Sequence, residues 1–181
     1  PTELHPYDRF FTDGFSLETH LVELRMLQPA DYDAFRPLVT DESIWTWFTR
    51  NLARPGELQR WVDEAMAARF AKTRVPLTII DKAEKKICGS TSYLNLSFYD
   101  KRLEIGATWL GTAFMGTGVN LHAKFMLLSH AFDILGMERV EVKTDVLNVR
   151  ARKSLLRLGL QEEGVLRSHM LMFDDRRRDT I

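Results

Sequence analysis

The stretch Trp109-Leu110-Gly111-Thr112-Ala113-Phe114-Met115-Gly116-Thr117-Gly118-Val119-Asn120 decides how this chain is read. Before it, Leu103, Ile105, Ala107 and Trp109 alternate with Glu104, Gly106 and Thr108, the period-two pattern of a strand. After it, residues 118–135 are apolar around most of a helical circumference, which predicts a helix buried on more than one side. The stretch is therefore a turn of small residues leading from a strand into a long helix. Successive backbone N–H groups at the positive end of a helix bind phosphate or pyrophosphate without a basic side chain. A plain tight turn is the alternative for a Gly-x-Gly on its own. A Walker loop needs Gly-Lys-Ser/Thr, and here Val119 and Asn120 follow Gly118. A dinucleotide fingerprint needs a third glycine, and Leu121 stands in its place.

Working outward, Val22, Leu24 and Met26 alternate with Glu23 and Arg25 and predict a first strand. Pro29-Ala30-Asp31 opens a short helix through Leu38, and a loop with Trp45, Trp47 and Phe48 follows. Leu58, Trp61, Val62, Ala65, Met66 and Phe70 recur at helical spacing and predict an amphipathic helix over 57–72. Residues 75–80 and 87–96 read as hairpin strands around a charged turn. A strand over 140–144 precedes a basic helix over 149–158, which Gly159 ends. Residues 160–173 are extended, and a turn at Asp174-Asp175-Arg176-Arg177 follows them. This order predicts one mixed α/β (α+β) domain with a mostly antiparallel sheet flanked by helices. Residues 1–20 read as an irregular arm and 21–181 as the domain. The chain stops at Asp179-Thr180-Ile181 as a new strand starts, and a turn without a return strand leaves an unpaired edge. The expectation is that the natural protein continues past Ile181, with its last strand cut short here.

A chain of 181 residues supports one sizeable core and not two. The 25 basic residues balance the 25 acidic ones, which argues against a uniformly basic nucleic-acid binder. No apolar run reaches the length of a membrane span, and residues 1–13 lack an apolar signal core. The one cysteine, Cys88, forms no disulfide within the chain, and no Cys/His cluster suggests a structural metal. The expectation is a cytoplasmic protein with no metal and no nucleic-acid or membrane partner. A homodimer is plausible from the apolar helices and the late strand.

Four segments occur in one order: Glu104-Ile105-Gly106-x-x-Trp109-Leu110; Met115-Gly116-Thr117-Gly118-Val119-Asn120; Glu138-Arg139-Val140-Glu141-x-Lys143-Thr144-Asp145-x-x-Asn148; and Leu158-Gly159-Leu160-x-Glu162-Glu163-Gly164-Val165-Leu166-Arg167. Together they resemble the GNAT superfamily of acyl-CoA-dependent N-acyltransferases, in its RimJ/RimL-like branch. The resemblance covers residues 22–181 and is strongest over 104–167. It implies a splayed central sheet with acetyl-CoA in the gap, and direct attack by a primary amine of a peptide N-terminus or small molecule. It places the pantetheine arm along Thr108, Trp109 and Leu110. It places the pyrophosphate on Met115, Gly116, Thr117, Gly118, Val119 and Asn120, and a further cofactor contact at Asn148. Departures are Met115 where the family has Arg or Gln, and Asn120 where it has Gly or Ala. Ala151 and Leu155 replace a common Ser and Tyr on the thiolate side, so no general acid is assigned. An acyl-CoA-binding module with degenerate catalysis, or an acyltransferase using another acyl-CoA, stays open.

Glu104, on the strand entering the gap, is the candidate general base; a salt-bridged strand carboxylate is the plain alternative. An α-amine, with a pKa of about 7.7–8.0, needs less help to deprotonate than a lysine at about 10.4. Lys124, one turn beyond Asn120, is within reach of a phosphate oxygen, but a long lysine on a buried helix more often extends outward, and that is the expectation. Arg150, Arg152, Lys153 and Arg157 form a basic helix face suited to a ribose phosphate or simply to solvent. Arg176, Arg177 and Arg178 read as a solvated hairpin tip. Trp45, Trp47, Phe48 and Trp61 lie where the resemblance puts the acceptor side, with Trp61 in core register. Arg167 and His169 point the same way along a late strand. Cys88 reads as a buried small hydrophobe.

Overall fold

The structure is a computed structural model of the chain and describes residues 7–12 and 14–181. Its main sheet runs in chain order through β1 (Ser16–Glu18), β2 (Val22–Met26), β3 (Arg74–Asp81), β4 (Lys86–Ser97), β5 (Arg102–Leu110) and β6 (Arg139–Glu141). Neighbours are antiparallel as far as β5, and β6 lies parallel to β5. The helices are α1 (Tyr32–Phe35), α2 (Glu57–Phe70), α3 (Val119–Ser129) and α4 (Val149–Arg157). A hairpin of β7 (Leu166–Leu171) and β8 (Arg177–Thr180) completes the described chain.

The one core expected from the chain's length is corrected, for the sheet divides it and each face carries its own cluster. Val22, Leu24, Val75, Leu77, Leu103 and Ile105 pack with Val119, Ala123 and Leu127 of α3. On the opposite face Phe35, Trp45, Leu58, Trp61 and Val62 pack around Trp109. A strand's side chains alternate between faces, so Ile105 and Trp109 should share one. They do not, because β5 carries one extra residue. Ser90 pairs with Trp109 and Ser92 with Gly106, which sets two steps of β4 against three of β5. Ala107 absorbs the excess at φ +49°, in the left-handed region. Trp109 is thereby moved to the α2 face and Leu110 returned to the α3 face. The single alternating face expected over 103–109 is corrected accordingly. Trp109 then meets Phe35, Trp45 and Trp61 at ring-centroid distances of 5.2, 5.7 and 5.9 Å. Each such pair contributes roughly 0.5–1.5 kcal/mol beyond its buried area.

The sheet splays beside this bulge. β5 and β6 pair at Arg102–Arg139, Leu103–Val140 and Glu104–Glu141, and no further. The following segment turns to β8. Thr144 and Ile181 exchange N–H···O bonds of 2.8 and 2.9 Å, and Val146 donates to the Asp179 carbonyl at 3.0 Å. The strand expected over 140–144 is therefore divided between two partners. The second half of β5 faces a gap instead of a neighbour.

Other elements differ from expectation. Ser16–Glu18 joins the sheet as β1, and Phe10 is buried in the core, so the segment before residue 21 is structured where it is described. Residues 1–6 and 13 of the expected arm lie outside the described residues. The helix expected over 118–135 ends at Ser129 and continues as a wider turn, His130–Ile134. A return strand does follow the turn at Asp174-Asp175, since β8 pairs with β7, so the argument from an edge without a return strand falls.

Asp31 ties the first helical segment to the sheet. Its buried carboxylate accepts from Arg25 at 2.6 and 2.9 Å, from Thr78 Oγ1 at 2.6 Å and from the Gln28 N–H at 3.0 Å. Burial works against the charge, but these donors outweigh it and hold the Asp31 pKa below its usual value. Replacing Asp31 with Ala strands all three donors. Because Arg25 is partly exposed, the cost falls at the low end for a broken buried pair, about 3 kcal/mol, and appears as a lower urea midpoint with unchanged slope.

Candidate active site

The loop after β5 makes one tight helical turn, Thr112–Phe114, and then runs through two left-handed glycines. Gly116 has φ +79° and Gly118 φ +92°, and a Cβ on either would meet nothing within 4 Å. Glycine is used for its conformation here, and the space above the loop is open. From Gly116 to Leu121 no backbone N–H donates to a protein acceptor among the described residues. The first bond of α3 is His122 N–H to the Gly118 carbonyl, at 3.0 Å. Six successive donors thus sit at the positive end of a helix, a receptor for an anion.

Beside the loop, the gap between β5 and the segment after β6 opens into a cavity of about 600 Å³. Of the residues singled out from the sequence, Glu104, Thr108, Trp109, Asn120 and Asn148 line it. Leu110 and Val119 are instead core residues, and Met115, Gly116, Thr117 and Gly118 belong to the loop outside the lining. Trp45, Trp47, Phe48 and Trp61 form the opposite wall. Trp45 and Trp61 are also core members, and Trp45 Nε1 donates to the Val39 carbonyl at 3.0 Å.

Glu104 is the last β5 residue paired with β6 and is 8% exposed. Lys143 Nζ donates to its Oε2 at 2.5 Å and Asn95 Nδ2 to the same oxygen at 2.7 Å. Oε1 keeps no hydrogen bond among the described residues. Gly106 keeps the neighbouring space clear, for a Cβ there would lie 2.8 Å from Leu94 Cδ1 and 3.2 Å from Glu104 Oε1. Burial pulls the Lys143 pKa down, but Glu104 and Glu141 outweigh it and leave it raised. Lys143 was not singled out as a site residue from the sequence; its signal is a cation two residues from Glu141, on the charged side of an alternating strand.

Lys124 departs most from expectation. It turns inward, is 8% exposed and lines the cavity. It makes no hydrogen bond or ion pair among the described residues, and burial pushes its pKa down to about 8. Two further polar atoms on the lining residues are buried without partners, Trp109 Nε1 and Asn120 Oδ1. Such atoms cost stability unless a ligand satisfies them.

The remaining candidates separate clearly. Asn148 caps α4, its Oδ1 accepting from the Ala151 N–H at 3.1 Å, which leaves its amide N–H₂ to the cavity. Arg152 is held by Glu162 at 2.8 and 3.1 Å, while Lys153 and Arg157 are exposed. Arg150 approaches Met115 Sδ at 3.9 Å and so puts a cation beside the loop. The solvated tip expected for Arg176–Arg178 is corrected. Arg176 pairs with the fully buried Asp145 at 2.5 Å, Arg177 Nε bonds Ser168 Oγ, and Arg178 is 8% exposed in the cavity wall. His169 reaches the cavity and Arg167 does not; Ser168 at φ +50° marks the irregularity that breaks the alternation of β7. Burial pushes the Cys88 thiol up to about 12, consistent with an inert core position. Among the described residues no group of His, Cys, Asp and Glu is arranged to hold a metal ion, and no helix is long and apolar enough to cross a membrane.

Comparison with known proteins gives a consistent picture. The model of the acetyltransferase (GNAT) domain matches residues 22–161. The Bacillus subtilis (strain 168) protein named "Putative ribosomal N-acetyltransferase YdaF" is 26% identical over 153 residues, 81% of each chain. A GCN5-related N-acetyltransferase from Brucella melitensis superposes with a TM-score of 0.83 at 25% identity, over 93% of this chain and 77% of that one. The ribosomal-protein-S5-alanine acetyltransferase of Vibrio fischeri shares the fold, with a TM-score of 0.73 at 19% identity over 92% and 93% of the two chains.

The unpartnered Asn120 Oδ1 should weigh on the ligand-free protein. Replacing Asn120 with Leu removes that acceptor and is expected to raise stability by about 1 kcal/mol. For a chain this long that is roughly 2–4 °C in Tm by calorimetry.

Proposed function

The chain belongs to the GNAT acetyltransferase domain family, and from that premise we propose that it transfers an acetyl group from acetyl-CoA to a primary amine. The acceptor is a peptide N-terminus or a small-molecule amine, attacking directly while both substrates are bound. The ribosomal N-acetyltransferase in the name of the Bacillus subtilis relative supports including protein amines.

The observation that carries this reading is the run of unengaged N–H groups from Gly116 to Leu121. The run fits the diphosphate of coenzyme A, and Arg150 lies close by for a further phosphate. The backbone of β5 beyond Glu104 has no strand partner on the gap side, which suits an amide-bearing pantetheine arm and an oxyanion. Trp109 and Asn120, whose Nε1 and Oδ1 are buried without partners, line the same cavity. The coenzyme supplies the activated thioester; the protein's part is binding, orientation and proton handling.

Glu104 is assigned as base. Its two donors both occupy Oε2, so Oε1 is available to the attacking amine or to an intervening water. Asn95 and Lys143 keep the carboxylate oriented. A peptide α-amine, deprotonated in part near neutrality, suits a site with this single base.

Two experiments test the proposal. Gly118→Trp puts a bulky side chain over the loop and is expected to abolish CoA binding by calorimetry while the far-ultraviolet spectrum is unchanged. Unaltered affinity in that variant takes the loop out of the mechanism. Thiol release from acetyl-CoA with a panel of amines and N-terminal peptides is expected for at least one of them. CoA binding with no release for any acceptor leaves a binding module instead.

A further inference from the structure

Lys124 stands apart from the machinery above. It lies four residues after Asn120, hence on the same face of α3, and lines the cavity that contains Thr108, Trp109, Ala151 and Leu155. It is more than nine-tenths buried and makes no ion pair or hydrogen bond among the described residues. Ala151 and Leu155, on the α4 wall, bear no proton donor. Ser154 lines the same wall, but a serine hydroxyl does not ionise near neutrality. Resting on the acetyltransferase reading, we infer that Lys124 delivers a proton to the thiolate released when the amine displaces coenzyme A. The C–S bond breaks with its electron pair going to sulfur. An Nζ–H bond of Lys124 then breaks as an S–H bond forms. The neutral amine left behind regains a proton from solvent, and the proton of the acceptor nitrogen leaves through Glu104.

The electrostatics of the cavity suit this role. Glu104 and Lys143 compensate each other across the gap, and Arg50, on the tryptophan side, is paired with Glu57 and Glu64. His169 of β7 and Arg178 of β8, whose Nε donates to Thr180 Oγ1, complete the charged or titratable lining, and neither pairs with Lys124. The β2 residues packed under α3 include Val22, Leu24 and Met26, all apolar. Burial brings Lys124 down to about 8, close to the ordinary thiol value of about 8.5. A proton donor works best when its pKa lies near the working pH.

The test titrates the thiol of bound coenzyme A by its ultraviolet thiolate absorbance, in the wild type and in Lys124→Met. In the wild type the ammonium stabilises the thiolate, so the bound thiol is expected to be about tenfold more acidic than in the variant. Turnover with an active acceptor should fall roughly 100-fold in the variant, while CoA affinity at pH 7 stays within a few-fold. Identical thiol titrations overturn the inference and leave the acetyltransferase reading intact. A wild type that binds no coenzyme A overturns both. Should the variant not fold, proton uptake is measured on the wild type at pH 9, by calorimetry in two buffers of different ionisation enthalpy. Coenzyme A is expected to take up a proton and desulfo-coenzyme A none; equal uptake refutes the role.

Discussion

The extra residue at Ala107 sets the geometry on which the rest depends. It turns Trp109 into the aromatic cluster around α2 and returns Leu110 to the core under α3. The end of β5 is thereby anchored on both faces just before the chain enters the loop. Three residues before Ala107, at Glu104, pairing with β6 stops. A strand held firmly by its side chains, yet lacking a partner along one edge, can lend its main chain to a ligand. The cavity, the loop and the start of α3 all follow from that combination.

Much of this was legible in the residues. Alternation located β2 and β5, and apolar spacing located α2, because half-buried elements impose a period on their sequence; the charged turn between two apolar runs located β3 and β4. The glycines at 116 and 118 marked the loop, since only positive-φ positions ask for them so specifically. The bulge at Ala107 was not legible. Alanine is an ordinary strand residue, and the requirement for the bulge comes from β4 and the two cores. The division of 140–144 between β5 and β8 was hidden for a similar reason: partner choice is a long-range property.

The charged residues show the same limit from the other side. Lys124 and Arg178 carry long polar side chains whose usual place is the surface. Both are buried here because the splay provides an internal polar surface that no local pattern announces. Glu104 was singled out by its motif, but its partners Asn95, on β4, and Lys143, in the segment after β6, appear only once the sheet is assembled. The cavity therefore combines one compensated ion pair with several polar atoms that have no partner. A protein tolerates such a deficit where a ligand makes it good, at some cost to stability.

The proposed grip on a diphosphate by main-chain N–H groups has a consequence for inhibition. A compound that imitates a diphosphate would grip amides rather than side chains. Replacements at Thr112, Ala113, Met115 or Thr117 leave those amides in place, so they offer little route to resistance. Escape has to come through Gly116 or Gly118, where any other residue must hold a left-handed backbone and strains the loop itself.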